Sequence, residues 1–209
     1  MPLAQLTFDG PIATISLDHP QGNRINFGMR QELLASLRGV ADSPAQVLLL
    51  RAEGKDFCLG GDVRDWPGIP PRELRPKIET FAEALDQLEK LSIPTVAAVQ
   101  GRCMGGGLEL ILSCDLVVAS RTAAFGCPEA MLGIVTLQGG VIQLAQRIGR
   151  AKALEFVFLS DLHSADEMAE LGLPGLNCAS GEERHWTRRA HGTREEIPGR
   201  TGGKSTAAD

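Results

Sequence analysis

Residues 101–115 read GRCMGGGLELILSCD. Three consecutive glycines, Gly105 to Gly107, run straight into an apolar segment whose one early carboxylate is Glu109. The preceding TVAAVQG (95–101) is predicted as a strand. The glycines open a helix predicted to run to about Cys114, and LVVAS (116–120) predicts a further buried strand. Helix N-termini carry unpaired N–H groups, and glycines let a ligand approach the backbone closely. The segment therefore suits an anion or oxyanion cradle, while tight packing of strand on helix explains the glycines equally well. Neither the Walker pattern nor the dinucleotide fingerprint fits: no lysine follows Gly106 or Gly107, and the G-x-G-x-x-G spacing fails. Glu109 suits a capping acid at the first helical turn. Crowded by Leu108, Leu110, Ile111 and Leu112, it also suits a carboxyl of raised pKa available for proton transfer.

Outward from this stretch the same alternation continues. Strands are predicted over Pro11–Asp18 and Gln46–Ala52. Met29, Leu33, Leu37 and Val40 give a helical period over 28–42. A second helix begins at Pro70–Pro71, and its unit ends at Pro94. GGVIQLAQRIG and RAKALEFVFLS read as helices, AAFGCPEAMLG as a turn-rich connector, and Ser164 as the N-cap of a short helix. Strands alternating with helices place the chain in the α/β class. After Leu173 the periodicity stops, which predicts a core of 1–173 and an atypical, disordered tail over 174–209.

With 43% apolar residues in 209, the core is ample, and with 4% aromatics it is aliphatic. A formal charge of −5 without a basic cluster in the body argues against nucleic-acid binding. No apolar run is long enough to span a bilayer, and MPLAQLTFDG lacks a signal-peptide pattern, so a cytoplasmic location is expected. Five cysteines without a C-x-x-C predict reduced, buried thiols rather than a disulfide framework or metal site.

A second glycine loop, GKDFCLGGDVRDW (54–66), follows the strand ending at Ala52, and a second acid, Glu129, stands in FGCPEAMLG. A turn and a surface acid explain each alone; together they suggest two backbone donors and two carboxylates. GKDFCLGGDV, IPTVAAVQGRCMGGGLELILSCDLVVAS, AAFGCPEAMLGIV and GGVIQLAQRIGRAKALEFVFLS, in this order, resemble the crotonase (enoyl-CoA hydratase/isomerase) superfamily over roughly residues 6–173.

The resemblance implies a spiral of repeated strand–strand–helix units that binds acyl-CoA thioesters. It places an oxyanion hole on the main-chain N–H groups of Gly61 and Gly106 and catalytic carboxyls on Glu109 and Glu129. Leu59, Gly61, Val63, Trp66, Gly105, Leu137 and Gln138 become the substrate and CoA contacts. Retention of both acids favours a lyase that hydrates a 2-enoyl-CoA, with no metal and no cofactor beyond the CoA of the substrate. Isomerase, decarboxylase or dehydratase chemistry of the same family, and a catalytically silent binding or assembly role, are the alternatives. An acyl thioester partner and a homo-oligomer, trimer or hexamer, are also implied. Two stretches depart from the pattern. TLQGG (136–140) replaces the usual turn beside the acyl pocket. The sequence after Leu173 lacks the family's C-terminal helical periodicity and reads as a truncated or frame-shifted terminus.

Overall fold

A computed structural model describes residues 1–173 and the backbone of a strand at 175–178. Its principal sheet is built from β1 (Ala4–Asp9), β2 (Ile12–Leu17), β3 (Val47–Ala52), β4 (Thr95–Val99), β6 (Leu116–Ser120) and β9 (Gly175–Cys178), side by side in that order. β1 pairs antiparallel to β2, and every later neighbour is parallel. Parallel strands are covered on both faces. This is why β3 reads as VLLL, with Leu48 to Leu50 buried, rather than as a strict alternation.

A smaller sheet joins β5 (Arg102–Met104), β7 (Ala124–Gly126) and β8 (His163–Ser164). Single bridges add Cys58 to Cys103 and Ile25 to Gly61. Each turn of the chain thus lays a strand in the large sheet, then a short extended piece in the second row, then a helix. β2 is followed by Ile25 and α1 (Phe27–Ala41). β3 is followed by Cys58–Gly61 and α2 (Pro71–Glu89). β4 is followed by β5 and α3 (Gly106–Leu112). β6 is followed by β7 and then α4 (Gly140–Ile148) and α5 (Arg150–Leu159). α6 (Ala165–Glu170) closes the series behind a capping box of Ser164 and Glu167. The expected spiral of strand–strand–helix units is present.

The predicted elements of the core form, with two refinements. The connector AAFGCPEAMLG contains β7 and a 3₁₀ turn over Pro128–Leu132. The predicted strand 95–101 ends at Val99, and a further short strand, β5, follows the turn at Gly101. β9 lies past the expected boundary at Leu173, so the large sheet extends into the segment read as a tail. The rest of that segment lies outside the described residues.

The corner between β4 and β5 fixes how the second row meets the first. Gly101 has φ +57°, and a methyl group there would collide with the Lys55 carbonyl oxygen and lie 3.0 Å from Asp56 Cα. Asp56, nearly buried, accepts from the Arg102 backbone N–H at 3.0 Å and from its guanidinium at 2.8 and 3.0 Å. The Arg102 guanidinium beside it lowers the Asp56 pKa. Because the obstruction is backbone, Gly101→Ala is expected to cost about 2–4 kcal/mol of stability. Urea unfolding checks this as a fall in midpoint at unchanged m-value; a variant within about 0.5 kcal/mol of wild type removes the corner from this account.

Candidate active site

The three glycines of the opening stretch answer to three different neighbours. Gly107 packs α3 onto the second row: a methyl group there would stand 2.7 Å from both Cβ and the carbonyl oxygen of Cys58. Gly106 faces the other glycine loop, where an added methyl would lie 3.4 Å from the Gly61 nitrogen. Gly105, at φ +49°, lies under Glu129, whose carboxyl occupies the place a side chain would need.

The two glycine loops are held against each other by main chain. Met104 N–H donates to Cys58 O at 2.9 Å, and Cys58 N–H to Arg102 O at 3.1 Å. On the other side, Ile25 N–H donates to Gly60 O at 2.9 Å and Asp62 N–H to Ile25 O at 3.1 Å. This ladder uses the polar groups around Gly61 and leaves its own N–H out. Gly105 N–H donates to Gly126 O, while Gly106, first residue of α3, has an N–H with no intrahelical acceptor. Neither the Gly61 nor the Gly106 N–H has an acceptor among the described residues, and both residues line one cleft. Two main-chain donors without acceptors on abutting turns are chemically suited to receive an anionic oxygen.

Glu109 and Glu129 line the same cleft. Glu109 is only 3% exposed. Its Oε1 accepts from Gln138 N–H at 2.8 Å and Gly140 N–H at 3.1 Å. The turn before α4 therefore holds this acid, not the cap of its own helix. Burial pushes the Glu109 pKa up to about 7, against those two hydrogen bonds and with a smaller contribution from the Glu129 charge. Burial also raises Glu129, and its Oε2 has no hydrogen-bond partner among the described residues. Cys127 lies next to the pair, and burial raises its thiol far above the nucleophilic range. Cys58, also buried, is pushed up to about 12.

All ten residues singled out from the sequence line this cleft: Leu59, Gly61, Val63, Trp66, Gly105, Gly106, Glu109, Glu129, Leu137 and Gln138. The departing stretch TLQGG supplies the backbone donors for Glu109, a role its side chains do not announce. Sequence reasoning missed Ile78, Phe81, Arg24 and Arg30, which also line the cleft.

A family model described as enoyl-CoA hydratase/isomerase matches residues 7–192. The chain belongs to the enoyl-CoA hydratase/isomerase family. It is 33% identical over 177 residues to "Probable enoyl-CoA hydratase 2, mitochondrial" of Arabidopsis thaliana, a match covering 83% of this chain and 59% of that protein. It is 35% identical over 178 residues to "Enoyl-CoA isomerase/hydratase fer4" of Mycosarcoma maydis, covering 78% of this chain and 65% of that one. The match thus spans about three fifths of these relatives' length. Among solved structures, the enoyl-CoA hydratase subunit I from Geobacillus kaustophilus superposes with a TM-score of 0.82 at 30% identity, covering 91% of this chain and 74% of that one. The fold of this enoyl-CoA hydratase/isomerase family chain is therefore the crotonase fold of its neighbours. Among the described residues no helix is long and apolar enough to cross a membrane.

The raised Glu109 pKa has a signed consequence for stability. Between the ordinary value of 4.5 and about 7 the folded chain holds a proton that the unfolded chain releases. Stability therefore falls as pH rises through that window and is level above it. The displacement corresponds to about 3 kcal/mol. Relative to Glu109→Gln, the wild type is expected to lose about that much between pH 5 and pH 8 in urea unfolding; parallel stability curves for the two proteins contradict a raised Glu109 pKa.

Proposed function

We propose that the chain hydrates the 2,3 double bond of an enoyl-CoA thioester. The observation that carries this reading is the convergence on one cleft of two acceptor-free N–H groups, Gly61 and Gly106, with two buried carboxyls, Glu109 and Glu129. Water attack at C3 moves the C2–C3 π pair toward the thioester oxygen. The Gly61 and Gly106 N–H groups stabilise the charge that collects there, each donor being worth about 3 kcal/mol. One carboxylate takes the water proton as oxygen bonds to C3. A carboxylic acid then protonates C2 as the enolate collapses, so one water is added with no net change in the pair's protons.

The two backbone bonds to Glu109 Oε1 favour its ionised form and fit it to hold and deprotonate water. Glu129, raised by burial and with Oε2 unpartnered, fits delivery to C2. The name of the Arabidopsis relative supports hydration, and that of the Mycosarcoma relative covers both isomerisation and hydration. Leu59 and Val63 beside half-buried Arg24 give the cleft an apolar wall and a cation, suited to the pantetheine and phosphates of CoA. Exposed Met131, Leu132, Ile142, Phe158, Leu159 and Leu162 support association with further copies. A cytoplasmic location completes the reading.

The test is the loss of conjugated-thioester absorbance when the protein meets crotonyl-CoA. Glu109→Gln and Glu129→Gln are each expected to lower kcat by about 10²–10⁴-fold while CoA-ester binding persists. A folded protein that binds the ester and turns it over at the uncatalysed rate contradicts hydration. Migration of a 3-enoyl double bond without hydration would assign the isomerase chemistry instead.

A further inference from the structure

Arg30 stands out in the cleft. It is 3% exposed, yet no carboxylate among the described residues comes within ion-pairing distance of it. Its guanidinium donates to the Lys77 carbonyl at 3.1 Å and, at the limit of 3.5 Å, to the Ile25 carbonyl. Nε is buried with no acceptor. Asp65 and Asp62 act on it only at longer range, and Asp62 is already paired with Arg64 at 2.7 Å. Phe27 and Trp66 flank the group, with their ring centres 5.3 and 5.9 Å from the guanidinium carbon. Lys77 Nζ, 5.1 Å from the Phe27 ring centre, adds a second positive charge that also lacks a carboxylate partner among the described residues.

An unpaired buried cation is costly, because removal from water is not repaid by a counter-ion. Burial accordingly lowers the Arg30 pKa, though arginine stays charged in proteins. Such a cost is typically retained where function uses the charge. Arg30 lines the cleft, and a methyl group built on Gly61 would lie 3.7 Å from its Nη2. An anion bound to Arg30 would therefore sit close to the proposed oxyanion donors, within a few bonds of the thioester carbon. That geometry suits a short acyl chain with a carboxylate at its far end and gives a plain fatty acyl chain nothing to neutralise the charge.

We infer that Arg30 is a specificity-determining residue that selects short dicarboxylic acyl thioesters, its buried guanidinium receiving the second carboxylate of the acyl group. The inference rests on the reading of the cleft as an acyl-thioester site. Truncating the side chain would also remove the bond to the Lys77 carbonyl, so the decisive comparison is between ligands on one protein.

Calorimetric titration with butyryl-CoA and glutaryl-CoA, saturated esters that are not hydrated, provides it. The wild type is expected to bind glutaryl-CoA at least about tenfold more tightly, the advantage of one charge-assisted contact. Arg30→Met is expected to abolish that preference while leaving butyryl-CoA within about threefold. Arg30→Lys should keep part of it. Equal affinity of the wild type for the two esters overturns the carboxylate site and leaves the thioester reading standing, as does an Arg30→Met variant that weakens both esters alike. Binding of neither ester overturns both readings. A wild type without the preference overturns the inference even where a variant fails to fold, and Arg30→Lys, which keeps the charge, assigns a preference that is seen to Arg30.

Discussion

The close approach of two backbone turns, Cys58–Gly61 against Met104–Gly107, is the constraint on which the rest depends. A side chain at Gly60 would meet the Met104 carbonyl oxygen at 2.9 Å, and one at Gly107 would meet Cys58. Only main chain fits at the contact. The ladder from Ile25 through Cys58 to Arg102 and Met104 uses up the neighbouring polar groups and leaves the N–H groups of Gly61 and Gly106, two residues that line the cleft, without acceptors among the described residues. The spiral supplies this geometry by repetition, since each turn of chain sets a short extended piece beside the last.

The carboxyls depend on the same contact. Glu129 rests on Gly105, and Glu109 is gripped from the turn before α4 with almost no solvent access. Gly140 has a counterpart role, because a methyl group there would stand 2.8 Å from Glu109 Cγ. The acid pair is thus raised in pKa by burial and fixed in place by glycines on two separate segments. Arg30 approaches from α1 on the Gly61 side of the cleft, the only one of these charged groups whose position follows from neither glycine loop.

Much of this was legible in the residues. Continuous apolar runs and helical periods gave β3, α1, α2 and β6 to within a residue or two, except at the C-terminal end of α2, because each buries a wide face. Short elements were not legible. β5 and β7 have three residues each and sit in glycine- and cysteine-rich connectors, so their pairing is decided by tertiary contact rather than local pattern. β1 escaped because a partly exposed edge strand carries little alternation. The glycines and glutamates were visible through motif resemblance, but the grip of Gln138 and Gly140 on Glu109 was not, since backbone donors leave no mark in side-chain identity. Arg30 was hidden because it follows Met29 on an amphipathic helix, where an arginine ordinarily faces water. β9 follows a proline and carries no period, and only its pairing with β6 reveals it.

The central claim is that two main-chain donors, on glycine turns kept in contact by packing, polarise a thioester carbonyl. An isotope-edited infrared difference spectrum of butyryl-CoA labelled at its thioester carbonyl tests that directly. On binding, the carbonyl band is predicted to move to lower frequency than in water, because two aligned N–H groups in a cleft sheltered from water stretch the bond more than hydration does. A bound ester whose carbonyl band stays at its position in water, or moves higher, contradicts the claim.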